Sequence, residues 1–278
     1  MGVIRLRPDS GIGETMKTSH LIAVAALAIS FAMPGSLFAA STPTVEEDPV
    51  EESKPYISSR PTDGVFKVVV LGDSLADGLY SGLSRLNSKN DQLKIKKASK
   101  VNTGLVRSDR YDWNRGARKI AKTGKYDIAV VLLGLNDLQT FREKGKAHHF
   151  QQKGWEERYQ ARLEQMITDL QASDMAVYWV GIPITSPRKY QKEYAYLNDF
   201  FQKASAKYGL KYIDTWSGLA NANGKYSPFW KDEKGKKKQI RMRDGVHFTP
   251  DGYMIFASFL NDVLQKDLAE AAGQQASQ

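Results

Sequence analysis

Cysteine is absent from all 278 residues, which excludes disulfides, thiolate metal ligands, a cysteine nucleophile and a lipidated N-terminal cysteine together. Histidine is scarce, with His20, His148, His149 and His247 making up the whole complement of four. No apolar run approaches the roughly 20 residues that a membrane-spanning helix needs. The longest, Leu21 to Phe31, has eleven positions, one of them Ser30. Internal repeats are missing too, so a solenoid or propeller is not expected.

That short apolar run follows Lys17 and precedes Pro34, Gly35, Ala39, Ala40 and Ser41, the layout of a cleaved secretory signal. Residues 1–40 are therefore expected to be a signal peptide, the product periplasmic or secreted, and a stable membrane span is not expected. Ser41 to Asp63 carries Glu46, Glu47, Asp48, Glu51 and Glu52 among prolines and reads as a disordered acidic linker. The remaining 64–272 suit one α/β domain, large enough to bury a core without disulfides. The net charge is +9, and the first 40 residues contribute only three basic and two acidic side chains, leaving +8. A basic surface commonly meets nucleic acid, but export removes that partner. Anionic glycans or lipid surfaces fit an exported protein better.

Apolar runs of strand length recur at Val65 to Leu71, Leu93 to Ala98, Asp127 to Leu133, Met175 to Gly181 and Leu210 to Asp214. Helical periodicity separates them: Trp155, Tyr159, Leu163, Met166 and Leu170 share one face, as do Ile255, Phe256, Phe259, Leu260, Val263 and Leu264. Strands alternating with helices predict a three-layer α/β/α sandwich around a five-stranded parallel sheet.

Of four short blocks, three sit where such a sheet binds ligands, at the carboxyl ends of its strands, and one precedes the last helix. Gly72-Asp73-Ser74-Leu75 follows the first strand and opens a helix, so Ser74 reads either as a nucleophile beside free backbone N–H groups or as a plain N-cap. Asn102-Thr103-Gly104-Leu105 follows the second; Gly104 is either a donor open to a substrate or a turn residue. Gly134-Leu135-Asn136-Asp137 follows the third, and the Asn136 amide is a neutral donor suited to an oxyanion, although Asn is also an ordinary loop residue. Asp244-Gly245-Val246-His247 precedes the last helix, a spacing at which the carboxylate bonds one imidazole nitrogen and leaves the other for a nucleophile. His148 and His149 lie among Lys144, Lys146 and Lys153 and read as solvated loop. No metal and no cofactor are expected.

In this order and combination the blocks resemble the SGNH, or GDSL, hydrolase superfamily over Phe66 to Val263, and within it an exported branch of unknown function that shares the string Arg241 to Thr249. The resemblance implies a flavodoxin-like sheet, a serine esterase with Ser74, His247 and Asp244 as its triad, and an oxyanion hole from Ser74, Gly104 and Asn136. An α/β-hydrolase fits less well, because Ala76 stands where Gly-x-Ser-x-Gly needs its last glycine. The resemblance to that branch gives no substrate; export and the basic charge lead instead to the expectation of an acyl or acetyl ester on a cell-envelope glycan, with a lipid ester as the other candidate. The alternatives are a polysaccharide O-acyltransferase on the same triad and a non-catalytic glycan-binding protein. Finally, Asn221 to Arg243 carries Lys231, Lys234, Lys236, Lys237, Lys238, Arg241 and Arg243 with Gly235 at an expected hairpin tip. This run either recruits an anionic partner or merely solvates the hairpin. Tyr226, Phe229 and Trp230 within it read as a structural staple or a sugar platform.

Overall fold

Apolar residues follow one another without alternation from Val68 to Leu71 and from Ile128 to Leu132, because the centre of a parallel sheet is covered on both faces. The computed structural model describes residues 55–58, 61–143, 145–232 and 234–276; the expected signal peptide and the linker residues 41–54 lie outside them. The elements run β1 (Phe66–Gly72), α1 (Ser74–Leu86), β2 (Leu93–Lys97), α2 (Trp113–Ala121), β3 (Ile128–Leu132), β4 (Phe141–Glu143), β5 (Lys146–His148) and α3 (Lys153–Gln171). They continue with β6 (Ala176–Val180), α4 (Gln191–Tyr208), β7 (Lys211–Ile213), α5 (Trp216–Leu219), β8 (Phe229–Lys231), β9 (Lys237–Gln239) and α6 (Pro250–Ala276).

The five expected strands are β1, β2, β3, β6 and β7, joined in the order β2-β1-β3-β6-β7 with every pairing parallel. Val68, Val69, Val70 and Leu71 of β1 and all of β3 are buried, as sandwiching between helical layers requires. One layer is α1 against α6; the other is built by α2, α3 and α4. The chain leaves β1 towards β2 and then returns across it to β3. That reversal opens a crevice at the carboxyl ends of β1 and β3. The apolar stripe of α3 is wholly buried at Trp155, Tyr159, Leu163, Met166 and Leu170.

Two features of the fold bring the last helix to the first. A Cβ at Gly78 would overlap the Tyr253 ring, and one at Gly82 would lie 2.2 Å from the Tyr253 carbonyl oxygen. Only glycine lets α6 lie this close to α1. Asn87 at the end of α1 then donates to Asn261 and accepts from Gln265, tying the two helices further along.

The linker expectation needs correcting at its C-terminal end. Ile57 is completely buried and Tyr56 donates to the Val177 carbonyl while accepting from the Lys211 N–H. The Tyr56 hydroxyl thus bridges β6 and β7, and the packed unit begins before Gly64. The sequence run is polar on average, which hid two apolar residues with a specific seat.

Candidate active site

Asp73 caps α1: its Oδ1 accepts from the Leu75 N–H at 3.0 Å, and its Oδ2 accepts from the Leu135 N–H at 3.1 Å. One buried carboxylate thereby joins the turn after β1 to the turn after β3, with Ser74 between them as the first residue of the helix. Burial pushes the Asp73 carboxyl up to about 7, against the pull of these hydrogen bonds, and the neighbouring Asp137 adds to the rise.

Asp137 does the same one loop further. Its carboxylate accepts from the Leu105 and Val106 N–H groups at 3.1 and 2.9 Å and from the Tyr159 hydroxyl at 3.0 Å. Burial raises its pKa, partly offset by those bonds and by the charge of Arg162. A Cβ on Gly104 would sit 2.1 Å from Asp137 Oδ1, so Gly104 is required by close approach rather than by a turn. Because the two following N–H groups are engaged by Asp137, the loop is held with the Gly104 N–H free of any protein acceptor among the described residues. Asn136 donates one amide hydrogen to the Thr103 carbonyl at 2.9 Å, which seats its side chain against the Gly104 loop and keeps its second hydrogen available.

The segment before α6 supplies an imidazole. Asp244 Oδ1 accepts from the N–H groups of Val246 and His247 at 2.9 and 3.0 Å, while Oδ2 lies 2.7 Å from His247 Nδ1. Partial burial pulls the Asp244 carboxyl up, yet the hydrogen bonds from Val246 and His247 outweigh it and hold the group below its ordinary value. It stays ionised. His247 Nε2 in turn lies 2.8 Å from Ser74 Oγ. A proton on Nδ1 facing the carboxylate leaves the Nε2 lone pair directed at the hydroxyl. The structure therefore brings Ser74, His247 and Asp244 into one hydrogen-bonded chain, beside a separate cluster of Gly104 and Asn136.

The family model that matches residues 67–263 is described as a protein of unknown function, DUF459. It spans most of the chain. The chain belongs to the DUF459 family. No curated protein sequence matches this DUF459 member. Among solved structures it is similar to a GDSL-like lipase from Bacteroides thetaiotaomicron, at 13% identity over 75% of this chain and 92% of that one, with a TM-score of 0.52. A lipase/acylhydrolase from Enterococcus faecalis aligns at 17% identity over 76% and 97%, TM-score 0.50. An acetyl xylan esterase aligns at 18% over 71% and 99%, TM-score 0.50. At such identities these likenesses establish the fold, that of GDSL/SGNH acylhydrolases.

Several supporting residues of this DUF459 protein were not singled out by sequence reasoning. Arg241, counted there with the exposed basic run, is buried: its guanidinium donates to the carbonyls of Val246 and Ile184, both at 2.7 Å, and stacks 3.5 Å from the Phe248 ring centroid. Burial lowers its pKa to about 10, still charged at neutral pH. Arg241 thus ties the His247 loop to the strand-end segment after β6, and the Ser186 N–H donates to the Gly245 carbonyl at 2.9 Å alongside it. One Arg among the basic residues of this run carries no sign of this. Tyr226 packs against the same guanidinium, 5.7 Å from ring centroid to Cζ, and Trp230 meets Phe259 edge-on; both are staples. Phe229 is half exposed. His148 falls in β5, and His149 Nδ1 lies 3.2 Å from Thr140 Oγ1. Among the described residues no group of three or more potential ligands could hold a metal ion.

Proposed function

We propose that this protein is an exported serine esterase that hydrolyses an acyl or acetyl ester on a cell-envelope glycan through an acyl-enzyme on Ser74. The observation that carries the reading is the 2.8 Å and 2.7 Å relay from Ser74 Oγ through His247 to Asp244. Ser74 Oγ attacks the ester carbonyl as His247 Nε2 takes its proton, and Asp244 stabilises the imidazolium that forms. The carbonyl oxygen, now negative, is met by the N–H groups of Ser74 and Gly104 and by the Asn136 amide. His247 returns the proton to the leaving alkoxide, and water repeats the sequence to free the acid. Ser74 and His247 are partly exposed, so water has access for that second half.

Ester chemistry is supported by the site's own geometry and by the acylhydrolase fold. A glycan substrate is supported by the basic charge, and the fold accommodates one in the acetyl xylan esterase. Fluorophosphonate is expected to label Ser74 covalently in the wild type and not in Ser74→Ala. In parallel, Asn136→Ala should lose about 10² to 10³ in kcat on a short p-nitrophenyl ester while remaining folded. Equal labelling of Ser74→Ala would remove the nucleophile assignment. Products from an acetylated glycan, assayed with and without a saccharide acceptor, separate hydrolysis from acyl transfer.

A further inference from the structure

The hairpin β8–β9 and the turn that precedes it line an open pocket of about 490 Å³, to whose lining neither Ser74 nor His247 contributes. Its lining includes Asn221, Asn223, Phe229, Trp230, Lys231 and Lys237, and among the described residues no lining residue is acidic. Neither lysine forms an ion pair among the described residues, whereas the neighbouring Lys238 is bound to Asp251 at 2.9 Å. The groove between α3 and α4 differs: Glu164 and Asp199 there are already paired with Lys207 and Lys203. Both lysines of that groove are neutralised by ion pairs, and among the described residues those of the β8–β9 pocket are not.

Resting on the glycan-esterase reading, we infer that this cavity is a binding subsite for an anionic polysaccharide, holding the chain whose ester reaches Ser74. Phe229, half exposed in the lining, presents the apolar ring on which the C–H face of a sugar packs. Lys231 and Lys237 supply cations for a carboxylate or sulfate on that sugar. The Asn221 oxygen accepts from the Asn223 and Lys225 N–H groups, which fixes the turn and keeps its NH₂ group as a donor for hydroxyls. The volume lies within the range of small-ligand sites. Connection to the catalytic loop is direct. The Pro228 carbonyl accepts from the Ile240 and Arg241 N–H groups, and the Tyr226 hydroxyl lies 3.7 Å from where a Cβ on Gly245 would stand. One wall of the subsite is therefore continuous with the segment that carries Asp244 and His247.

The test measures binding to the Ser74→Ala protein, which cannot turn over, using oligogalacturonate, a heparin hexasaccharide and neutral xylohexaose as probes. At least one anionic probe should bind roughly tenfold or more tightly than xylohexaose, and that preference should shrink as salt screens the field. Phe229→Ala, and Lys231→Gln combined with Lys237→Gln, should each weaken the anionic probe by about tenfold. In the otherwise wild-type protein the same changes should leave fluorophosphonate labelling and short-ester turnover unaltered. Equal affinity for xylohexaose, no binding of either anionic probe, undiminished binding by the variants, or a preference for anionic phospholipid vesicles over both glycans would each overturn the subsite. Failure of Ser74 labelling would overturn the esterase reading alone, since the binding comparison does not depend on it.

Discussion

Asp73 and Asp137 are buried acids with no cation in hydrogen-bond contact among the described residues, held instead by backbone N–H groups and a tyrosine. Each converts a flexible strand-end turn into a fixed one, which is what a preorganised oxyanion pocket requires. The arrangement carries a pH signature. A carboxyl raised from 3.8 to about 7 on folding binds more protons in the folded state than in the unfolded one across that window. Its favourable contribution is complete below about pH 4 and is lost as pH rises through about 7, a change on the order of a few kcal/mol. Asp73→Asn retains an oxygen for the Leu75 N–H and cannot ionise. Thermal unfolding followed from pH 4 to pH 8 should therefore show a flatter profile in Asp73→Asn than in the wild type. Parallel profiles would mean that Asp73 does not change protonation over this range. Arg241 is a second case of one side chain working through backbone: its two carbonyl partners belong to the His247 loop itself and to the segment after β6.

At the level of elements, the distance between Ser74 and His247 is set by how two helices pack. Ser74 starts α1, and His247 stands three residues before α6 begins, so any separation of the helices is passed to the 2.8 Å contact. Gly82→Ala places a methyl against the Tyr253 backbone, where neither partner is a side chain that can swing away. Overpacking of this kind costs about 1 to 3 kcal/mol. The expected outcome is a lower Tm together with a fall in kcat on a short ester larger than any change in KM. A variant with reduced Tm but wild-type kcat would show that the relay tolerates movement of α6.

For the whole molecule, the packed unit includes Tyr56 and Ile57, so a chain processed by export would have to keep these residues. Cleavage near Ala40 does. Expression from the full sequence is expected to yield a protein whose N-terminus, read by sequencing, lies near Ala40 and which is recovered from the periplasm or medium. Recovery in membranes with residues 21–31 intact would identify that run as an anchor. Among the described residues no helix is long and apolar enough to cross a membrane.

The sequence by itself determined the five parallel strands, the stripes of α3 and α6, the three blocks at the strand ends and the one before α6, because each is written locally in hydrophobic period or in the turn into a helix. Asp244 and His247 were legible as a pair for the same reason, being three residues apart. Only the tertiary structure decided that Ser74 stands within hydrogen-bond reach of His247, 173 residues away, since that contact depends on glycines in α1 admitting Tyr253. It also decided that Arg241 leaves the basic run for the interior and that Asp73 and Asp137 fix neighbouring turns. Those roles arise from backbone groups on other segments, and composition does not show which carbonyl or N–H a buried charge will meet.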